Sequence, residues 1–371
     1  MRVLILGRDE STYVTNIYDS IRRRLAREFP RNVYLYGRGY VDEKNYTQYV
    51  PDIIEEYGDF DVVFVMDLRD KEGKFSKEPW TGLNEITASK ILYRTDIHNC
   101  WNVYKKYLIK NNFSAIISPY PESYQEGVYG KHLGLPESIK YIWLPHCVDD
   151  IFYSYNEDKV FDVTMLGFFL RSPYLKFWYM FQGFYKYLFN GQMDMITFLF
   201  LQDLRRVPSM IFKDDYPLRT YIDKNLKNRC DIKYFTKKHP GHSLGLDYSK
   251  KDFTTAKYLV GENYVRAICA SKIFLSSSSR FKIPLQKTFQ GMACGTCTFV
   301  DEPIGAKDLG FEDGYNLVYV DKKNVLDKVS YYLRNEEERE TIAKNGLETV
   351  RKYHTISLRV RQFINTLEEY I

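Results

Sequence analysis

The segment from residue 276 to residue 290 concentrates hydroxyl and cationic side chains between a predicted strand and a predicted helix. Pro284 is expected to open that helix, because its fixed φ suits the first helical turn, and Gly295 is expected to end it. Backbone N–H groups at a helix start attract anions, and α/β sheets bind ligands at the carboxyl ends of their strands. The segment therefore predicts a phosphate site, although simple helix capping by serine is an alternative. Its candidate ligands are Ser276, Ser277, Ser278, Ser279, Arg280, Lys282 and Lys287.

A second pair of cations follows the strand predicted at 161–166. Gly167 ends this strand and would let a backbone approach a ligand closely. Arg171 and Lys176 come next, and fixed cations stabilise the negative charge that a departing diphosphate gains. The alternative is a pair of surface cations at a helix start. A cation there opposes the helix dipole, which favours a bound anion.

Two further strand ends carry residues that could do chemistry. His239 follows the strand predicted at 231–235, in a turn containing proline and glycine, and is either a phosphate or sugar ligand or part of a plain turn. Asp96 and His98 follow the strand predicted at 88–94. Asp96 is a candidate general base for an acceptor hydroxyl. The alternative is that Asp96 caps the next helix and His98 lies on the surface.

Three runs of residues resemble a known family. Lys287-Thr-Phe-Gln-Gly-Met-Ala-Cys-Gly-Thr, then Phe299-Val-Asp, then Phe311-Glu-Asp-Gly-Tyr-Asn-Leu-Val are similar to the C-terminal domain of group-1 glycosyltransferases. The nearest branch is the CgeB-like group, and the resemblance extends from about 162 to 371. It implies the GT-B fold, in which two Rossmann-like, doubly wound α/β domains face each other across a cleft. The C-terminal domain of such proteins usually holds a nucleotide-sugar, and the N-terminal domain usually holds the acceptor.

The resemblance also implies roles for particular positions. Arg171 and Lys176 match the cations that hold the donor diphosphate in group-1 enzymes, and Lys287 stands where the CgeB-like group often has arginine. At the positions where the family usually has two glutamates, this sequence has Lys282 and Gln290. Glutamine can still hydrogen-bond ribose hydroxyls, whereas lysine accepts no hydrogen bond.

The same family pattern gives roles to four positions outside that segment. His98 and His239 match histidines that lie near the donor sugar in related enzymes, and Gly7 and Arg8 are candidates on the acceptor side.

Strand and helix patterns alternate along the whole chain, which predicts parallel doubly wound sheets. We expect an N-terminal Rossmann-like domain at 1–155 and a nucleotide-sugar-binding Rossmann-like domain at 156–352. The resemblance implies that the last helix, within 353–371, packs back on the first domain.

Composition limits the class of protein. The 371 residues carry a net charge of +5, which suits an anionic small ligand and argues against a nucleic-acid partner. The chain has six cysteines; Cys294 and Cys297 form a CxxC without a second pair, so we expect neither zinc nor redox use. Because the first residues already read as a strand and no apolar run is long enough to span a bilayer, a cytoplasmic protein is expected. The aromatic segment 177–189 is either a core helix or a peripheral contact with the inner face of the membrane.

The resemblance to group-1 glycosyltransferases implies a hexosyltransferase that moves a sugar from a UDP- or GDP-linked donor to a hydroxyl on a glycan, lipid or protein-linked acceptor. No cofactor beyond this co-substrate is expected. No Asp-x-Asp pair follows a suitable strand, so metal independence is expected too. The alternatives are a nucleotide-sugar epimerase of the same fold and a non-catalytic scaffold.

Overall fold

The computed structural model describes residues 1–9, 17–68, 78–95, 101–122, 135–153, 156–167, 181, 216–238, 254, 259, 261–279 and 282–370. Within them the chain forms two parallel β-sheets, one of six strands and one of five. The strands of both sheets are mostly apolar along their length, as parallel strands covered on both faces by helices are.

The first sheet has the strand order β2-β1-β3-β4-β5-β6, and every pair is parallel. Its strands are β1 (Val3–Leu6), β2 (Val33–Tyr36), β3 (Val62–Val65), β4 (Ser89–Tyr93), β5 (Ala115–Ser118) and β6 (Lys140–Trp143). The helices in this half are α1 (Ile17–Glu28), α2 (Val50–Tyr57) and α3 (Trp101–Lys110). Short 3-10 turns cover Leu83–Glu85 and Asp150–Tyr153.

The second sheet has the order β11-β10-β9-β7-β8 and is also parallel. Its strands are β7 (Phe161–Gly167), β8 (Tyr234–Lys238), β9 (Ser271–Leu275), β10 (Cys297–Val300) and β11 (Val318–Tyr319). The helices are α4 (Pro217–Leu226), α5 (Gly261–Cys269), α6 (Gln286–Ala293), α7 (Val325–Arg334), α8 (Glu336–Tyr353) and α9 (Ile356–Glu368).

The chain passes between the two sheets twice, and the two crossings lie side by side. After β6 the Val148 N–H donates to the His354 carbonyl oxygen at 2.9 Å, and the Ile356 N–H donates to the Val148 carbonyl oxygen at 3.0 Å. Helix α9 then packs on the first sheet. The ring of Phe363 lies 5.7 Å from that of Phe64 and 5.6 Å from that of Tyr93.

Two local predictions were wrong. The strand predicted at 231–235 runs from Tyr234 to Lys238, because Asp231 pairs with Arg229 in the turn before it. Pro284 does not open α6, which begins at Gln286 after an extended Leu285. The reason is tertiary: Ile283 packs with Tyr120, which lies just after β5, and this contact favours an extended chain just before the helix. The helix predicted at 173–189 and the strand predicted within 195–201 lie outside the described residues, apart from residue 181.

Candidate functional site

Two cations meet where β7 ends. Gly167 has φ +145°, and a Cβ at this position would lie 2.8 Å from a guanidinium nitrogen of Arg219 and would overlap Nζ of Lys287. Nζ of Lys287 donates to the carbonyl oxygen of Leu166 at 2.7 Å. Only glycine leaves room for both side chains here, so the bare backbone brings an ammonium and a guanidinium to one strand end.

Each of these cations lies in the first turn of a helix. Lys287 is the second residue of α6, and Arg219 is the third residue of α4. Arg219 is buried, and its guanidinium lies 4.0 Å from the ring centre of Tyr216. Because the positive end of a helix dipole repels cations, an anion near these two helix starts would be stabilised.

The surroundings of Lys287 disfavour its charged form. Burial, followed by the nearby positive charge of Arg219, holds the pKa of the Lys287 ammonium well below its ordinary value. Among the described residues no carboxylate forms an ion pair with Lys287, and its one hydrogen bond there goes to a backbone carbonyl. A bound diphosphate would supply the missing negative charge and raise this pKa again.

The serine loop after β9 is held by a carboxylate on the neighbouring strand. The backbone N–H and the hydroxyl of Ser278 each donate to Asp301 at 2.7 Å, and Nζ of Lys282 lies 2.9 Å from the same carboxylate. Ser279 and Lys282 take positive φ values of 61° and 57° in this loop. Ser278 and Lys282, both expected at a phosphate, therefore have a structural partner in Asp301, which the sequence did not suggest.

Two buried polar groups, one in this loop and one in α6, have hydrogen-bonding atoms that no described residue satisfies. The hydroxyl of Ser277 and the amide nitrogen of Gln290 are buried and have no hydrogen-bond partner within the described part of the chain. The amide oxygen of Gln290 accepts a hydrogen bond from the Tyr264 hydroxyl at 3.0 Å. Gln290 therefore points its oxygen at α5 and retains only its N–H groups for another partner.

At the carboxyl end of β1, Gly7 and Arg8 contact other residues of the first half of the chain. Nε of Arg8 lies 3.5 Å from the carboxylate of Asp67, and the Arg8 carbonyl oxygen accepts from the guanidinium of Arg22 at 2.6 Å. Gly7 lies against this guanidinium as well, since a Cβ there would come within 2.8 Å of Cδ of Arg22. Gly7 and Arg8 therefore lie beside the buried guanidinium of Arg22 and the carboxylate of Asp67.

Some of the predicted site residues lie close together in the structure, and others fall outside the described residues. Gly167 and Lys287 meet, with Ser278, Ser279 and Lys282 in the loop between β9 and α6. Asp96, His98, Arg171, Lys176, His239 and Arg280 lie outside the described residues. Arg219 was missed, although Tyr216-Pro217 marks a helix start and a cation in that first turn carries the same signal used for Arg171.

No group of three or more histidine, cysteine, aspartate or glutamate residues in the described part of the chain could hold a metal ion. No described helix is both long enough and apolar enough to cross a membrane.

Comparison with known proteins places this architecture in a class. Residues 226–365 match the family described as glycosyl transferase-like, and no curated protein sequence matches the chain. A glycosyltransferase from Rickettsia africae ESF-5 superposes with a TM-score of 0.55 at 12% identity, covering 100% of this chain and 98% of that one. Anabaena Alr3699/HepE, solved in complex with UDP and glucose, gives 0.55 at 11% identity and 100% coverage of both chains. Sucrose-phosphate synthase from Thermosynechococcus elongatus gives 0.55 at 10% identity, covering 100% of this chain and 98% of that one.

The predicted fold is therefore confirmed: the chain has the two-sheet α/β architecture of GT-B glycosyltransferases. The resemblance to group-1 glycosyltransferases is confirmed over residues 226–365, which match the family described as glycosyl transferase-like.

Proposed function

We propose that this protein transfers a hexosyl group from a UDP-sugar to a hydroxyl acceptor. The observation that carries the proposal is the convergence of Lys287 and Arg219 on Gly167. Two fixed cations at a strand end suit a diphosphate. Lys287 lies within residues 226–365, which match the family described as glycosyl transferase-like, and Arg219 lies shortly before them. The complexes of Alr3699/HepE with UDP and with UDP-glucose support uridine over guanosine as the donor base.

In the proposed reaction the bond between the anomeric carbon and the β-phosphate oxygen breaks. The leaving oxygen gains negative charge, and Lys287 and Arg219 stabilise it because their positions are fixed before the reaction starts. Their two positive charges can replace the divalent cation that other transferases use, so we propose a metal-independent enzyme with no cofactor beyond the donor. Arg171, Lys176 and His239 remain predicted donor contacts.

The acceptor is proposed to bind at the edge of the first sheet, near Gly7 and Arg8. Its hydroxyl oxygen would attack the anomeric carbon, and the hydroxyl proton would pass to a general base, for which Asp96 is the predicted residue, with His98 beside the donor sugar. We propose that the reaction takes place in the cytoplasm on a glycan, lipid or protein-linked hydroxyl. If the acceptor is a lipid, the protein would bind peripherally to the membrane.

A donor-binding experiment tests this function. Titration of the protein with UDP, UDP-glucose and GDP-mannose by calorimetry should give binding to the uridine compounds. Lys287→Met should weaken that binding about ten- to hundred-fold, as expected for a charge-assisted hydrogen bond of roughly 1.5–3 kcal/mol. Lys344→Met, at an exposed position of α8, is the matched control and should change nothing.

Measurements of turnover distinguish the proposed transferase from an epimerase and from a non-catalytic scaffold. Release of UDP from a UDP-hexose in the presence of EDTA is the expected result. An isomerised free sugar would identify an epimerase, and tight UDP binding without any turnover across an acceptor panel would identify a scaffold. Equal UDP affinity in the wild type and Lys287→Met would refute the assigned diphosphate site.

A further inference from the structure

Two loops of the second half are joined to each other beside the candidate donor site. The serine loop leads from β9 into α6, and the neighbouring loop begins at Asp301 after β10. The backbone N–H and the hydroxyl of Ser278 donate to Asp301, and the N–H of Ile304 donates to the carbonyl oxygen of Lys282 at 2.7 Å. The serine loop is therefore fixed to the loop after β10 at two points.

A residue from the first half of the chain reaches this serine loop. Tyr120 lies just after β5 and packs against Ile283, and the two side chains are 4% and 3% exposed. Leu285 and Ile304 are partly buried against the same pair. This apolar contact joins the two halves of the molecule immediately before α6 begins.

The carboxyl edge of the first sheet touches the second half at two further places. A Cβ at Gly305, in the loop after β10, would lie 2.7 Å from Cη2 of Trp143, the last residue of β6. The imidazole of His146 lies 5.5 Å from the ring of Tyr120 and 6.1 Å from the ring of Phe289 in α6. The first half therefore contacts both loops and the helix that follows them.

The backbone of the serine loop is in an uncommon conformation. Ser279 and Lys282 have φ values of 61° and 57°, which residues other than glycine seldom adopt. Such conformations persist only where the surroundings hold them, and they cluster at ligand sites. Asp301 holds the serine loop from within the second half, and Tyr120 holds it from the first half through Ile283.

We propose that Tyr120 is a positioning residue for the nucleotide-sugar. This inference rests on the proposed function, because it takes the serine loop and the start of α6 as parts of the donor site. Along the chain, Ile283 lies between the buried hydroxyl of Ser277 and the cation of Lys287. By fixing Ile283, the ring of Tyr120 keeps both groups in place for the diphosphate. Donor binding in the second half then depends on a side chain of the first half.

Calorimetric titration with UDP tests this role. Tyr120→Ala should weaken UDP binding about tenfold, because small displacements of positioned groups are costly, whereas Tyr120→Phe, which keeps the ring, should bind as the wild type does. Phe113→Ala is the matched control. Phe113 is also buried but packs inside the first half, with its ring 5.6 Å from that of Tyr107. Its loss should lower the melting temperature and leave UDP affinity unchanged. Equal UDP affinity in wild type and Tyr120→Ala would overturn the proposal.

Ile283→Ala removes the same contact from the other side. It should weaken UDP binding as Tyr120→Ala does, and the double variant should bind no more weakly than either single variant, because effects that pass through one contact are not additive. Additive losses would show that Tyr120 acts by another route and would refute the inference. Ile283→Ala also decides the question if Tyr120→Ala does not fold.

Hydrogen exchange without ligand separates this inference from the proposed function. Peptides covering 276–279 and 282–285 should exchange faster in Tyr120→Ala than in the wild type, whereas peptides of α8 should not change. Unchanged exchange in the serine loop would remove the role of Tyr120 and leave the proposed transferase intact. A wild-type protein that does not bind UDP would refute the donor site itself, and this inference with it.

Discussion

The imidazole of His354 accepts a hydrogen bond from the buried guanidinium of Arg359, at 3.4 Å between Nδ1 and Nη2. Its other ring nitrogen, Nε2, lies 2.9 Å from the carbonyl oxygen of Leu309, so the ring proton belongs on Nε2 and the ring is neutral. This relay joins α9 on the first sheet to a loop of the second half. A second proton on His354 would place two cations in contact inside the protein.

Acid should therefore destabilise the fold through His354. Burial, followed by the charge of Arg359 and against the bond to Leu309, lowers its pKa from 6.5 to about 4. Between these values the unfolded chain binds the proton more readily, so stability is complete above pH 6.5 and declines as the pH falls towards 4. The full shift corresponds to roughly 3 kcal/mol.

Urea unfolding at pH 7, 6 and 5 measures this loss, and His354→Gln should make the dependence shallower. Part of the dependence should remain, because burial and then the charge of Arg359 also lower the pKa of His146 to about 3. The same slope in wild type and His354→Gln would assign the acid sensitivity to other groups.

Donor binding should take up a proton. Burial and the charge of Arg219 lower the pKa of Lys287 without ligand, whereas a diphosphate would favour its charged form. The affinity for UDP-glucose should therefore fall as the pH rises through the lowered Lys287 pKa. Calorimetry in two buffers of different ionisation enthalpy counts the protons, and Lys287→Arg, which does not titrate, should remove the uptake. An unchanged proton count in that variant would contradict the prediction.

Gly167→Ala should damage both stability and donor binding. The new Cβ would overlap the two cations, and the positive φ adds backbone strain of about 1–3 kcal/mol. Gly314 is the matched control, because it has φ +73° but nothing within 4 Å of a built Cβ. Gly314→Ala should lower the melting temperature alone, whereas Gly167→Ala should also weaken UDP binding at least tenfold. Equal donor affinity in both variants would argue against a site at Gly167.

Asp301→Asn should loosen the serine loop. The carboxylate accepts two hydrogen bonds from buried Ser278 and pairs with Lys282, so its loss should cost about 2 kcal/mol in unfolding free energy. Lys282→Met removes only the half-exposed partner and should cost less than about 1 kcal/mol. Chemical denaturation of the two variants compares them, and the reverse ranking would show that the ion pair, not the buried hydrogen bonds, holds the loop.

The sequence pattern predicted the elements whose bounds depend on neighbouring residues in the chain. The strand Cys297–Val300 was found at its true bounds, because an apolar β-prone run lies between Gly295 and Asp301. Arg219 escaped prediction because it comes to Gly167 only through the packing of α4 beside β7. Asp301 escaped for a similar reason: it follows β10, whereas its partner Ser278 lies in the loop after the neighbouring strand β9, and a single sequence does not reveal which strand ends are adjacent.

The paired crossings at Val148 and Thr355 have a mechanical consequence. Separation of the two halves of the molecule at this point would have to break both hydrogen bonds that Val148 makes with the segment between α8 and α9.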